Sequence, residues 1–152
     1  MNRVELGAEG VALPPWGSSL SDFALSVLDR LGVDGWDLSV LLCGDAMIRE
    51  LNSNYRGKDE ATDVLSFSLD EWVVDDILGK RYLPGDLAIS LDTLEENARY
   101  FDVSPDEELR RLLIHGILHL RGMDHASNDE AEPMLRMQET LLSTLPQERI
   151  IP

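Results

Sequence analysis

Residues 104–125 read SPDEELRRLLIHGILHLRGMDH. Ser104 at the N-cap, Pro105 at the first helical position and Glu107 three residues after the serine make a capping-box start, so a helix opens at Pro105. Leu109, Leu112, Leu113, Ile114, Ile117, Leu118 and Leu120 then cover most of its circumference as far as about Arg121, and Gly122 stops it. A helix that is apolar on nearly every side belongs at the centre of a domain. The remaining chain must supply the layers that cover it.

Outward from this helix the pattern alternates short strands with amphipathic helices. Leu20, Phe23, Ala24, Val27, Leu28 and Leu31 recur at helical spacing between Ser18 and Leu31, with Gly32 as the stop. Residues 37–43 read as a strand that becomes buried, and Asp45 is placed to cap a helix running to about Asn54 with Met47, Ile48 and Leu51 inward. Residues 55–63 form a polar, turn-rich stretch that delivers the chain into a strand over 64–69. Residues 70–85 read as an acidic loop with Lys80 and Arg81 near its end and Pro84-Gly85 as a breaker, before a third strand over 86–90. Helices are expected over 91–101 and from Asn128 to about Leu145, the last with Met134, Met137, Leu141 and Leu145 on one stripe and Pro133 in its first turns. Residues 1–17, with Pro14-Pro15 and three glycines, suggest a loose or strand-like edge segment. No repeat, low-complexity tract or linker marks a boundary, so a single domain over 1–152 is expected.

Composition narrows the class. With 43% hydrophobic and 28% charged residues in 152, the chain is neither disordered nor collagen-like. A formal charge of −16 argues against unspecific polyanion binding. It leaves open an RNA held in one locally basic, metal-containing cleft, because charge is screened beyond roughly 8 Å at physiological salt. Cys43 is the one cysteine, so no intrachain disulfide forms. No apolar run approaches the ~20 residues of a membrane span, and Met1 to Gly7 lacks an apolar signal region. The expectation is a soluble, cytoplasmic protein.

All three histidines fall between 115 and 125. His115 and His119, four apart on the helix, project from one face and can reach one ion, and the turn after Gly122 lets His125 bring a third nitrogen. Three neutral imidazoles and an open position are the donor set of a catalytic zinc-type centre. The spacing equals that of the metzincin motif H-E-x-x-H-x-x-G-x-x-H, but Gly116 stands where that motif has its general-base glutamate, which argues against a zinc protease of that design. Gly116 serves either close helix packing or room for a bulky phosphodiester beside the metal. Asp124 is a candidate to orient a ligand imidazole, to accept a proton from water, to replace one histidine as ligand, or simply to turn the chain. Arg56 and Lys58, in the turn before the 64–69 strand, are candidates for an anion clamp or are solvated loop charges. Arg110-Arg111 and Lys80-Arg81 read as a solvated helix face and loop charges, and Thr62-Asp63 as a strand-entry turn.

Residues 115–125 closely resemble H-G-x-L-H-L-x-G-[hydrophobic]-D-H, the signature of the YbeY family of bacterial metal-dependent endoribonucleases, with Met123 at a position that is usually aromatic. Residues 54–59 (NYRGKD), 62–67 (TDVLSF) and 85–90 (GDLAIS) agree as well, so the resemblance extends over roughly 38–145. Ala61 and Ser68 depart from it where proline is common. The resemblance implies an α+β domain, a small mixed sheet packed with helices around a central metal-binding helix. It implies a single-strand-specific endoribonuclease of the cytoplasm, acting in 16S rRNA 3′-end maturation and ribosome quality control. By matching positions, His115, His119 and His125 are the zinc ligands and Arg56 with Lys58 lines the substrate cleft.

The expected reaction is hydrolytic. One Zn2+, or another divalent ion, activates water or polarises a phosphoryl oxygen, Arg56 stabilises developing phosphate charge, and Asp124 is the candidate proton acceptor. The attacking group is water or the RNA 2′-hydroxyl. The acidic charge suggests that a ribosomal particle, such as the small subunit, or a protein partner presents the RNA. Two alternatives are a non-catalytic ribosome-assembly factor with a structural metal, which would close its site with a fourth ligand, and a metallohydrolase of peptides or small molecules.

Overall fold

The computed structural model describes residues 1–145 and 149–152. In chain order the elements are β1 (Arg3–Ala8), α1 (Gly17–Arg30), β2 (Asp37–Cys43), α2 (Asp45–Arg56), β3 (Val64–Asp75), β4 (Gly79–Ser90), α3 (Leu91–Phe101), α4 (Pro105–Leu120) and α5 (Pro133–Thr144). The strands form one mixed sheet in the order β1-β2-β4-β3. β1 runs parallel to β2 and β2 parallel to β4, whereas β3 and β4 pair as an antiparallel hairpin. The class is α+β, as the resemblance implied.

Strand periodicity divides the side chains between two layers. Leu38, Val40 and Leu42 of β2 and Leu87 and Ile89 of β4 enter the main core with α1, α3, α4 and α5. Cys43, Leu65 and Ala88 point to the other face, where Ile48 of α2 covers them and Met47, Leu51 and Phe67 pack around. The Ser104 hydroxyl accepts the Glu107 N–H at 3.0 Å, so the expected cap is present, but the Glu107 carboxylate turns to Arg111 at 3.3 Å. α4 is buried nearly all round. Apart from Arg110, its half-buried positions, Glu107, Arg111, His115 and His119, recur every four residues and form one stripe.

Several sequence expectations need correction. Residues 70–85 are not a loop: they continue β3 and begin β4 as a hairpin whose turn is bound by the Asp75 carboxylate, an acceptor for Ile77 and Leu78 N–H at 2.8 Å. The alternation that marks a half-buried strand is absent here because the hairpin projects into solvent, with Ile77 92% exposed. Arg81 is not a loop charge but is 3% exposed and bonded to Asp37 at 2.6 Å. Arg110 and Arg111 are likewise paired, with Asp106 and with Glu107 and Glu139. Arg56 is the last residue of α2 rather than part of a following turn. The N-cap of α2 is Gly44, not Asp45, because Asp92 from α3 takes the Asp45 N–H at 2.9 Å and fills the space where a side chain at Gly44 would stand. α5 starts at Pro133, where proline fits the first helical position, rather than at Asn128; Met137 is exposed and Gln138 faces inward instead.

The Asp37 carboxylate lies between Arg3 and Arg81, each at 2.6 Å. The hydrogen bond from Arg3, against the opposing effect of burial and with help from Arg81, holds its pKa far below the usual carboxylate range. A depressed pKa contributes stability that is complete above the unfolded value near ~3.9 and is lost as pH falls. Asp37→Asn leaves Arg81 short of its counter-charge and is expected to cost about 3 kcal/mol at neutral pH. Urea unfolding at neutral pH and below pH ~4 checks this, because the gap to the parent protein should shrink in acid.

Candidate metal centre and adjoining cleft

His115 and His119 sit one turn apart on the half-buried stripe of α4. Beyond them the chain closes with two bonds, Gly122 N–H to the His119 carbonyl at 2.9 Å and Met123 N–H to the Leu118 carbonyl at 3.0 Å. Gly122 has φ 98°, the left-handed conformation that this closure requires and that glycine adopts without strain. The turn brings the Met123 carbonyl to 3.1 Å from Nδ1 of His119 and carries His125 beside the other two rings. The His125 ring centroid lies 5.3 Å from that of His115 and 5.6 Å from that of His119.

The ligand-capable nitrogens of the three rings lie within 4.8 Å of one another, and the Nε2 atoms of His115 and His119 are 3.1 Å apart. Nδ1 of His119 faces the Met123 carbonyl and Nδ1 of His125 faces the Ser127 carbonyl at 2.9 Å. A carbonyl only accepts, so these rings carry their proton on Nδ1 and leave Nε2 bare. His115 makes its Nδ1 contact to the Gln138 amide at 2.7 Å. Burial and the neighbouring His115 lower the His119 pKa, which favours the neutral imidazole that a metal needs. The donors fit a divalent transition metal of the zinc type: three nitrogens, no thiolate, and an open cleft beside them. Among the described residues no other group of three such side chains gathers at ligand distance.

The histidines share their cleft with Arg56, Thr62, Asp63, Val64, Ser66 and Ser68. The Asp63 carboxylate accepts the Val64 N–H at 2.7 Å and the Asn97 amide at 3.1 Å, which fixes the strand entry against α3. A second cleft runs along α2, with Leu51, Tyr55, Phe67, Ser39 and Asp86 in its walls, and Arg56 belongs to both. Lys58 lines neither cleft; its backbone N–H bonds the Asn52 carbonyl in the loop after α2. Asp124 lies at the rim, 86% exposed, with Oδ1 accepting the His125 N–H at 2.8 Å and standing 4.0 Å from Nδ1 of His119. The Met123 carbonyl, not Asp124, therefore orients His119.

Gly116 does not open space beside the histidines. A Cβ there would stand 2.7 Å from Cδ2 of the fully buried Leu87, and the Ser66 hydroxyl donates to the Gly116 carbonyl at 3.3 Å. Its role is the close approach of α4 to the sheet. The sequence left Gln138 and the carbonyls of Met123 and Ser127 unseen. Backbone acceptors carry no sequence signal, but stepping four residues from the buried Met134 lands on Gln138, a polar residue at a core position.

The model of the family described as Endoribonuclease YbeY matches residues 17–146. The chain belongs to the YbeY family. It is 47% identical over 143 residues to the Endoribonuclease YbeY of Treponema pallidum strain Nichols, covering 94% of this chain and 89% of that protein. To the Endoribonuclease YbeY of Borreliella burgdorferi strain ZS7 it is 48% identical over 128 residues, covering 80% and 81%. The solution structure of TM1509 from Thermotoga maritima is similar to this YbeY-family chain with a TM-score of 0.62 and 30% identity over 92% of this chain and 87% of that one.

Alanine at position 116 improves helix propensity by about 1 kcal/mol, yet overpacking against Leu87 is expected to cost about 1–3 kcal/mol. Gly116→Ala should therefore lower the thermal midpoint. The double variant Gly116→Ala/Leu87→Ala should lose less than the sum of the two single changes, and additivity in that cycle would contradict the contact.

Proposed function

We propose that this chain is a metal-dependent endoribonuclease that cuts single-stranded RNA, with one zinc ion held by His115, His119 and His125. The observation that carries this is the convergence of three imidazoles in a cleft whose lining includes one guanidinium, that of Arg56. The name Endoribonuclease YbeY borne by the relatives supports the same substrate class. When bound, the ion supplies Lewis-acid charge at a phosphoryl oxygen and makes water a stronger acid.

The chain's own groups supply the rest. Arg56 binds the phosphodiester through paired donors and stabilises charge that develops on its oxygens. Asp124, at the rim, takes a proton from the attacking hydroxyl, whether of water or of the RNA itself. Lys58 stands outside the cleft wall and adds positive charge where the strand leaves it. The charge of −16 disfavours unaided capture of RNA, so we infer that a ribosomal small subunit or a protein partner presents a precursor of 16S rRNA in the cytoplasm. Among the described residues no helix is long and apolar enough to cross a membrane. The unit that does this is the single domain of residues 1–152.

Cleavage of single- and double-stranded RNA by the zinc-loaded protein, with zinc quantified in each sample, tests the assignment. The parent protein should cut single strands. His119→Ala should lose both zinc and cleavage, while Arg56→Glu and Asp124→Asn should keep zinc and lose about 100-fold or more in rate. An inactive, zinc-replete parent protein, or equal cleavage by all variants, would overturn it.

A further inference from the structure

Besides the three imidazoles, an ordered chain of polar side chains runs from the surface of α4 to His115. Arg111 lies one turn before His115 on the half-buried stripe. Its Nε and Nη2 donate to the two carboxylate oxygens of Glu139 on α5, at 3.1 and 3.0 Å. Glu139 Oε2 also accepts from Nε2 of Gln138 at 3.0 Å. Gln138 is 7% exposed, and its Oε1 stands 2.7 Å from Nδ1 of His115.

Donor and acceptor chemistry gives this chain a direction. A guanidinium only donates and an ionised carboxylate only accepts. Burial pushes the Glu139 pKa up, but hydrogen bonds from Arg111 and Gln138 outweigh it and hold the group below its ordinary value, hence ionised. Gln138 must then turn its NH2 toward Glu139 and its carbonyl toward His115. That carbonyl accepts, so the His115 proton sits on Nδ1 and the bare Nε2 faces the other two rings. With the amide reversed, the proton would move to Nε2 and block the position where an ion is held.

We propose that Gln138 is a positioning residue for the metal centre and that the Arg111–Glu139 pair sets the polarity of its amide, so that α5 fixes the tautomer of His115 before an ion binds. This rests on the metal-centre reading of the three histidines. His119 and His125 take the same tautomer from main-chain carbonyls, which no substitution removes. His115 alone depends on a side chain, and through it on the docking of α5.

Two-bond proton–nitrogen NMR correlations of the metal-free protein at mildly alkaline pH report each ring's tautomer. The parent protein should show Nδ1–H at all three histidines. In Gln138→Leu, His115 should switch to Nε2–H, the form favoured when nothing holds Nδ1, while unchanged His119 and His125 signals show that the fold is intact. Glu139→Gln, which leaves the amide free to reverse, should give a mixture at His115, and Gln138→Glu, which keeps an acceptor there, should restore Nδ1–H. Zinc affinity by chelator competition should weaken about 10–100-fold in Gln138→Leu and recover in Gln138→Glu. A His115 that stays Nδ1–H in both Gln138→Leu and Glu139→Gln, or that is already Nε2–H in the parent protein, would overturn the proposal. A parent protein with the expected tautomers that takes up no zinc would contradict the metal-centre reading instead.

Discussion

A helix buried around almost its whole circumference can carry chemistry only along the gap that its packing leaves, and α4 leaves one gap. Leu109, Leu112, Leu113, Ile114, Gly116, Ile117, Leu118 and Leu120 are buried against the sheet and the other helices, while Glu107, Arg111, His115 and His119 line the remaining stripe. The missing side chain at Gly116 lets Leu87 of β4 come within van der Waals reach of the helix backbone. The same apolar packing that stabilises the domain thus sets the height and rotation of the two ligand-bearing positions over the sheet. His125 reaches them because the helix ends at Gly122 in a left-handed turn, so ligand geometry is written into a helix stop rather than into the helix alone.

The parts of the fold legible in the sequence are those where one residue pattern meets one environment. The capped start at Ser104, the strand over 37–43 and the helix over 91–101 each bury a single face or run, and each lies where its periodicity places it. The hairpin over 70–85 escaped because it buries little: its order comes from β3–β4 pairing and from two contacts distant in sequence, Tyr82 against Trp36 and Arg81 bonded to Asp37, with Trp72 packed on the other side of Tyr82. Of the site, the three histidines were legible because four-residue spacing on a helix is a geometric statement. The oxygens that orient them were not, since two are main-chain carbonyls and the third belongs to a glutamine on another helix. The stripe read from the sequence put Met137 inward on α5, whereas Gln138 takes that place and Met137 is 38% exposed.

The electrostatics of the cleft follow from few groups. Arg56 is the one arginine or lysine in the walls of either cleft, and Asp63, Asp86, Asp124 and Glu5 share those walls with it. Most other guanidinium groups near the core are committed to carboxylates: Arg81 to Asp37, Arg110 to Asp106, Arg111 to Glu139. An ion at the three histidines would therefore supply most of the positive charge in the cleft, and a polyanion would gain its local attraction from that ion and from Arg56 rather than from the protein surface.

X-ray absorption at the zinc edge of the metal-loaded protein measures this directly. Three imidazole nitrogens and one further light donor at about 2.0–2.1 Å are the expected shell. A sulfur scatterer at about 2.3 Å, or a shell without imidazole back-scattering, would contradict the claim that His115, His119 and His125 together hold the ion.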